Sequence, residues 1–263
     1  MARSFSVMVA PNGARRSKSD NATLPLSSDE LAVTAKACSD AGASAIHLHV
    51  RDADGNHSLD AGRYLDAMAA ISERAPNMGV QVTTEAAGVF DVPAQFACLQ
   101  HVRPDAASVS VREMARDQDT AQNLYAFAGE AGIRLQHILY SVQDVATLRE
   151  WIGQGVVPNQ MTSAIFVLGQ YVPPVLAQPD DLLPFLNATG DMSLDWSICA
   201  FGHNELACVR AALELGGNVR VGFENNTQLP DGAPACDNAA LVALAVQEGL
   251  KLGLSHPTSQ KAA

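Results

Sequence analysis

Eight short apolar runs alternate with eight helix-like segments along this chain, at regular spacing and with no linker between them. Alternation of that kind implies a parallel sheet with helices over it, because parallel neighbours need a long crossover. Eight units in 263 residues imply that the sheet closes on itself, so a single-domain (β/α)8 TIM barrel is expected over residues 1–263. An open doubly wound sheet is the alternative. It would carry a glycine-rich first turn, and Pro11-Asn12-Gly13 is a poor version of one.

The strands are expected at Phe5–Ala10, Ala45–Arg51, Val80–Thr84, Asp105–Ser110, Arg134–Tyr140, Ser163–Leu168, Asp195–Cys199 and Asn218–Gly222. Between them, Ser27-Ser28-Asp29-Glu30 caps a first helix that Gly42 closes. Further helices are expected at Asp60–Ala75, Pro93–Gln100, Asp119–Ala131, Val142–Ile152, near Asp180–Leu186, at Phe201–Leu215 and at Ala239–Leu252. The small, polar tail from about residue 254 is expected to fray.

Composition narrows the partners. A hydrophobic fraction of 48% supports a large core. A formal net charge of -11 and a pI near 4.9 argue against nucleic acid or an anionic membrane surface as the main partner. Arg15, Arg16 and Lys18 stand out in so acidic a chain and fit either a solvated loop or an anion contact. The five cysteines show no Cys-x-x-Cys spacing and read as reduced, buried small residues in a cytoplasmic protein. No run has the length of a membrane span, and the first residues lack the apolar stretch of a signal peptide.

The second strand is unusual. Side chains on a strand alternate, so His47 and His49 point to one side, with Arg51 on that side if the strand reaches it and Asp52 opening the loop. Two imidazoles two residues apart on one face can share a metal ion. In a barrel of this type the active site lies at the C-terminal strand ends. Asn12, Thr83, Thr84, Glu85, Ser108, Ser110, Gln136, Tyr140, Arg220, Glu224 and Asn225 are expected there too. Glu224 is the best third ligand, since strands eight and two are separated only by strand one. A His2Glu set with an open position is catalytic rather than structural. Arg220 suits a substrate carboxylate or an ion pair in the barrel mouth. His57, His101, His137 and His256 read as structural or solvated. His203 reads as a helix-opening residue or a site residue.

Ala10-Pro-Asn-Gly-Ala-Arg15, Ile46-His-Leu-His-Val-Arg-Asp52, Thr83-Thr-Glu-Ala86, Phe201-Gly-His-Asn204 and Gly217-Asn-Val-Arg-Val-Gly-Phe-Glu-Asn-Asn226 together resemble the β-keto acid cleavage enzyme family, typified by the 3-keto-5-aminohexanoate cleavage enzyme of lysine fermentation. The resemblance runs nearly the whole chain in order. It implies a zinc-dependent TIM barrel that turns a β-keto acid and acetyl-CoA into acetoacetate and a new acyl-CoA, and it implies a homo-oligomer, a tetramer or dimer. By the same resemblance His47, His49 and Glu224 match the zinc ligands, and Arg220 matches an arginine beside the reacting keto acid. Thr83 or Thr84 and Ser108 or Ser110 match strand-end hydroxyls, expected as Thr83 and Ser108 at the reacting atoms and Thr84 and Ser110 with Asn12 and Arg51 along the substrate.

Three departures bear on mechanism. Asn225 stands where the family carries an aspartate proposed as base, and an amide takes no proton at neutral pH. Leu135-Gln136 replaces the usual Pro-Glu. Ala14 replaces a glutamate that suits an amino-bearing substrate, which argues against a cationic substrate here. Glu85 is the remaining strand-end carboxylate and is expected as the base or as an ion-pair partner of Arg51 or Arg220. A metal-dependent hydrolase on the same barrel and a non-catalytic metal- or ligand-binding relative are the other function classes. The hydrolase would want a histidine on strand six, and there is none.

Overall fold

A computed structural model of the chain describes residues 2–256. Its centre is a closed parallel barrel of eight strands: β1 (Val7–Val9), β2 (Ala45–Leu48), β5 (Gly79–Thr83), β6 (Ala106–Ser110), β7 (Arg134–Leu139), β8 (Ser163–Leu168), β9 (Asp195–Ala200) and β10 (Asn218–Val221). Closure is made by β1, which pairs with β10 on one side (Met8 opposite Arg220) and β2 on the other (Val9 opposite Ile46). Each barrel strand thereby has a neighbour on both sides, and the sheet has no free edge.

The expected strands all occur, with ends shifted by one or two residues except at the second. There the chain leaves the barrel after Leu48 and forms a small antiparallel hairpin of β3 (Val50–Arg51) and β4 (His57–Ser58). The Asp52 carboxylate causes the departure: it accepts from the amides of Asp54 (2.9 Å) and Asn56 (2.8 Å), which curls the chain back. Arg51 therefore lies in the hairpin and not on the barrel wall.

Helices α1 (Ser28–Ala41), α2 (Ala61–Arg74), α3 (Val92–Val102), α5 (Gln118–Ala131), α6 (Val142–Gly153), α7 (Leu182–Thr189), α8 (Glu205–Glu214) and α9 (Asn238–Lys251) surround the barrel, with a short α4 (Val111–Met114) following β6 directly. Their starts are written in the sequence. Ser27 and Glu30 form a capping box on α1, and Asp60, Asp91, Asp117, Ser141 and Asp237 each cap the helix that follows. Leu135, Leu139, Ala164, Phe166, Leu168, Ile198 and Ala200 face these helices in one buried core. The alternate residues of the same strands face inward.

At the N-terminal mouth the interior is polar. Gln136 Nε2 donates to the hydroxyls of Ser163 and Ser197, both at 3.3 Å, beside a cavity of about 330 Å³ that Met8, Gln81 and Trp196 also line. Residues 254–256 are not loose as expected of the tail: Phe5 N donates to the Ser255 carbonyl at 3.2 Å and Ser255 N to the Arg3 carbonyl at 3.0 Å. The remainder of that tail lies outside the described residues. Among the described residues, no helix is long and apolar enough to cross a membrane.

Candidate metal centre and active site

His47 sits on β2 and His49 just past its end, and their Nε2 atoms face each other at 3.2 Å. The Oε2 atom of Glu224 lies 3.3 Å from His49 Nε2 and 3.8 Å from His47 Nε2. All three side chains are buried, and the three ligand atoms fall within 4.8 Å of one another. Two ligands about 2.0 Å from a tetrahedral ion stand roughly 3.3 Å apart. The donor set and its spacing therefore fit one divalent cation with an open position.

The residues around it prepare those atoms. His47 Nδ1 meets Gln81 Oε1 at 2.7 Å, while Gln81 Nε2 donates to Gln136 Oε1 at 3.1 Å. With its amide nitrogen engaged, Gln81 presents an acceptor to the imidazole. His47 must then carry its proton on Nδ1, leaving the Nε2 lone pair for a metal. Burial, with Arg220 close by, holds His47 well below the usual imidazole range, so it stays neutral. Burial pushes the Glu224 carboxyl up, but Arg220 and the two imidazoles outweigh it and keep Glu224 well below the carboxylate range.

Glu224 reaches the site on a tightly held turn. Gly222 has φ +132, and a Cβ there would lie 2.6 Å from the Ala10 carbonyl oxygen. Gly13, at φ +62, packs against the Glu224 side chain just as closely. Asn238 Oδ1 accepts from Phe223 N at 2.8 Å, and its Nδ2 donates to the Pro11 carbonyl at 3.1 Å. Glu205, buried at the start of α8, accepts from Gly222 N (3.3 Å) and Asn226 Nδ2 (3.2 Å), and burial raises its pKa to about 8. Gln81, Glu205 and Asn238 went unnoticed in the sequence; each acts on a partner remote along the chain, and no local spacing marks them.

Arg220 Nη2 donates to Glu224 Oε1 at 3.0 Å and to Cys199 Sγ at 3.3 Å. Its Nε and Nη1 are buried and have no hydrogen-bond partner among the described residues. The same holds for Glu224 Oε2, the hydroxyls of Ser108 and Ser110, and both amide atoms of Asn225. Ser108 and Ser110 alternate with core-facing Ala107 and Val109, so both point inward. Glu85 Oε2 stands 3.9 Å from His49 Nε2, Arg15 stands 3.9 Å from Glu85 Oε1, and burial raises the Glu85 pKa.

Other expected site residues have backbone duties. Asn12 Nδ2 donates to the carbonyls of Pro25 (3.0 Å) and His49 (3.2 Å). Arg51 donates to the carbonyls of Gly13 and Arg16, leaving Nη1 without a partner among the described residues. Thr84 Oγ1 donates to the Ser108 carbonyl at 2.9 Å. Thr83 shares the inward face of Gln81, and its hydroxyl accepts from Glu85 N at 3.1 Å, fixing the base of that side chain. These bonds position the loops around the centre and leave Arg51 Nη1 as a buried donor without a partner among the described residues.

The basic cluster divides. Arg16 stacks on Tyr171, whose hydroxyl donates to the Glu224 carbonyl at 2.6 Å, and Lys18 pairs with Glu30 at 2.6 Å. His57 takes the structural of its two expected roles: its ring lies 5.1 Å from that of His49, and Nε2 donates to the Glu85 carbonyl at 2.8 Å. His203 is exposed at the turn into α8. Four cysteines are buried as expected; Cys236 is exposed.

Comparison with known proteins speaks to family and fold. A family model described as beta-keto acid cleavage enzyme matches residues 5–262. The 3-keto-5-aminohexanoate cleavage enzyme of Fusobacterium nucleatum is 27% identical over 95% of this chain and 93% of its own length. A 3-oxoadipate:acetyl-CoA acetyltransferase of Cupriavidus necator is 28% identical over 90% of this chain and 85% of its own. Among solved structures, ObcA with oxaloacetate superposes with a TM-score of 0.66 at 16% identity, over 89% of this chain and 65% of that one, which speaks to the fold alone.

Proposed function

The chain belongs to the beta-keto acid cleavage enzyme family, and from that premise we propose that it converts a β-keto acid and acetyl-CoA into acetoacetate and a new acyl-CoA. The observation that carries this reading is the convergence of His47, His49 and Glu224 beside Arg220, whose remaining donors are buried and unpaired. The relatives named above act on 3-keto-5-aminohexanoate and on 3-oxoadipate with acetyl-CoA, and the reading extends that chemistry to this chain.

Zinc is the proposed ion, held by Nε2 of His47, Nε2 of His49 and Oε2 of Glu224, and when bound it supplies a Lewis acid for the ketone and carboxylate oxygens of the substrate. Arg220 Nη1, buried and without a protein partner, is proposed to donate to the substrate carboxylate. Glu85 is the proposed base. Its raised pKa makes it a better proton acceptor than an ordinary carboxylate, and it stands at the edge of the centre. It removes a C2 proton, and C2 attacks the acetyl-CoA carbonyl, expelling CoA thiolate. The thiolate then adds to the C3 ketone. Breakage of C2–C3 releases the new acyl-CoA and the enolate of acetoacetate, which recovers a proton from Glu85.

Ser108 and Ser110 are proposed to donate to the oxyanions that form along the way, and Asn225 to orient the thioester. Thr83 holds the backbone of Glu85. The hydrolase alternative gains nothing from the interior, since β8 turns Ser163, Ile165 and Val167 inward rather than a histidine. The test is a set of β-keto acids incubated with acetyl-CoA and zinc-loaded protein, scored for acetoacetate and a new thioester. Consumption of keto acid without a new thioester would refute the transfer.

A further inference from the structure

We infer that the substituent on the substrate ketone is uncharged and apolar, a short alkyl chain lying against the inner wall of β7, β8 and β9. This rests on the reading just given. The interior of the barrel at the C-terminal end has two unlike sides. β2, β5, β10 and the turns after them bring the histidines, Glu85, Arg220 and Glu224. Across from them Ile138, Ile165, Val167 and Cys199 form a small buried cluster of their own, separate from the core beneath the helices, and Tyr140 and Phe201 pack against it.

The register makes this one wall: Ile138 is opposite Ile165, and Val167 is opposite Cys199. It abuts the proposed reacting centre at two points. Cys199 Sγ accepts from Arg220 at 3.3 Å. Phe201 touches Tyr171, ring centres 4.8 Å apart, and Tyr171 donates to the Glu224 carbonyl. With the substrate carboxylate on Arg220, the carbon chain beyond the ketone must leave that point. The β1 side is filled, since Gly13 packs against Glu224 and Asn12 is tied to Pro25 and His49. The chain therefore runs toward β7–β9.

Above Gln136, Ser163 and Ser197, no carboxylate, ammonium or guanidinium projects inward from those three strands among the described residues. A charged substituent would be buried there without a counter-ion, which is costly. Apart from Arg220, which Glu224 and the substrate carboxylate engage, a cation stands at the rim of this wall in Arg112, exposed and stacked on the Tyr140 ring 3.5 Å from its centre. An anionic substituent that reached it is the competing outcome. The substrates named for the two relatives above are a β-keto acid with an amino group and one with a second carboxylate. This chain is thus set apart from both.

The experiment compares kcat/KM for 3-oxohexanoate, 3-oxoadipate and 5-amino-3-oxohexanoate with acetyl-CoA on zinc-loaded wild type, then repeats the neutral series by chain length on Val167→Ala. The neutral acid is expected to exceed each charged one by about 10-fold or more. Val167→Ala is expected to raise the ratio of 3-oxooctanoate to 3-oxohexanoate by roughly 10-fold, as a pocket enlarged by two methyl groups accepts a longer chain. A charged acid turned over as well as or better than the neutral one overturns the inference while the cleavage reaction stands. An unchanged chain-length profile in Val167→Ala overturns the placement of the chain. No transfer with any of the three acids overturns the cleavage reading and the inference together.

Discussion

At the N-terminal mouth of the barrel, Gln81, Gln136, Ser163 and Ser197 bond to one another, and Asn218 donates to Asp195 at 3.1 Å. At the C-terminal mouth, Ser108, Ser110, Arg220, Glu224 and Asn225 all keep buried polar atoms without a partner among the described residues. Each such atom costs roughly 1–3 kcal/mol. A cavity of about 330 Å³ opens at the first mouth. A cavity alone does not mark a site. Satisfied polar groups describe a scaffold, and unsatisfied ones describe a place prepared for a ligand.

The largest effect that could break this contrast is at the metal ligands. Glu224→Gln keeps the shape but removes the charge that faces Arg220 and that the proposed cation would share. If the proposed ion carries several kcal/mol of transition-state stabilisation, activity in the acetyl-CoA assay should fall by roughly 10^3-fold or more. Activity near wild type would place the chemistry elsewhere. Next comes Gln81→Leu, which sits between the two mouths. It frees His47 Nδ1 from its acceptor and should weaken zinc binding by about 10- to 100-fold, read by competition with a chelator of known affinity. Unchanged affinity would mean that the lower network stops short of the centre.

Glu205 gives a pH-dependent version of the comparison. Its pKa is raised from the ordinary 4.5 to about 8, so the folded state holds a proton that the unfolded chain has released. Its stabilising contribution is complete below pH about 4.5 and is lost as pH rises through about 8. Stability should decline across that window by up to about 1.4 kcal/mol per pH unit from this group. Glu205→Gln should flatten the decline, as followed by urea denaturation at pH 5, 7 and 9. Equal slopes in the two proteins would remove the proton from the account. The smallest effect belongs to Ser197→Ala at the lower mouth. It should cost about 1 kcal/mol of stability in urea and leave kcat/KM within roughly two-fold. A ten-fold loss of activity would show that the two mouths are not separable.

Much of this was legible before the structure. Strand–helix alternation gave the barrel because a parallel sheet has few other ways to satisfy its edges, and every strand recurred within a residue or two apart from the second. His47, His49 and Glu224 were legible because two come from one strand and the third from the neighbouring end of a closed ring. The hairpin at Val50–Ser58 was hidden, since an apolar run does not say where an aspartate side chain will turn the backbone. Asn12, Arg51 and Thr84 carry the right chemistry at the right end of the barrel. Their partners are backbone carbonyls that only the folded loops supply. Gln81, Glu205 and Asn238 were invisible for the converse reason: their importance lies wholly in what they hold.

The proposed function depends on one cation binding at one place. The most direct measurement is zinc per chain, by elemental analysis after zinc loading and exhaustive dialysis, on wild type and on His49→Ala. One zinc per chain in wild type and none in the variant is the result expected. Equal zinc in both proteins, or none in either, would contradict it.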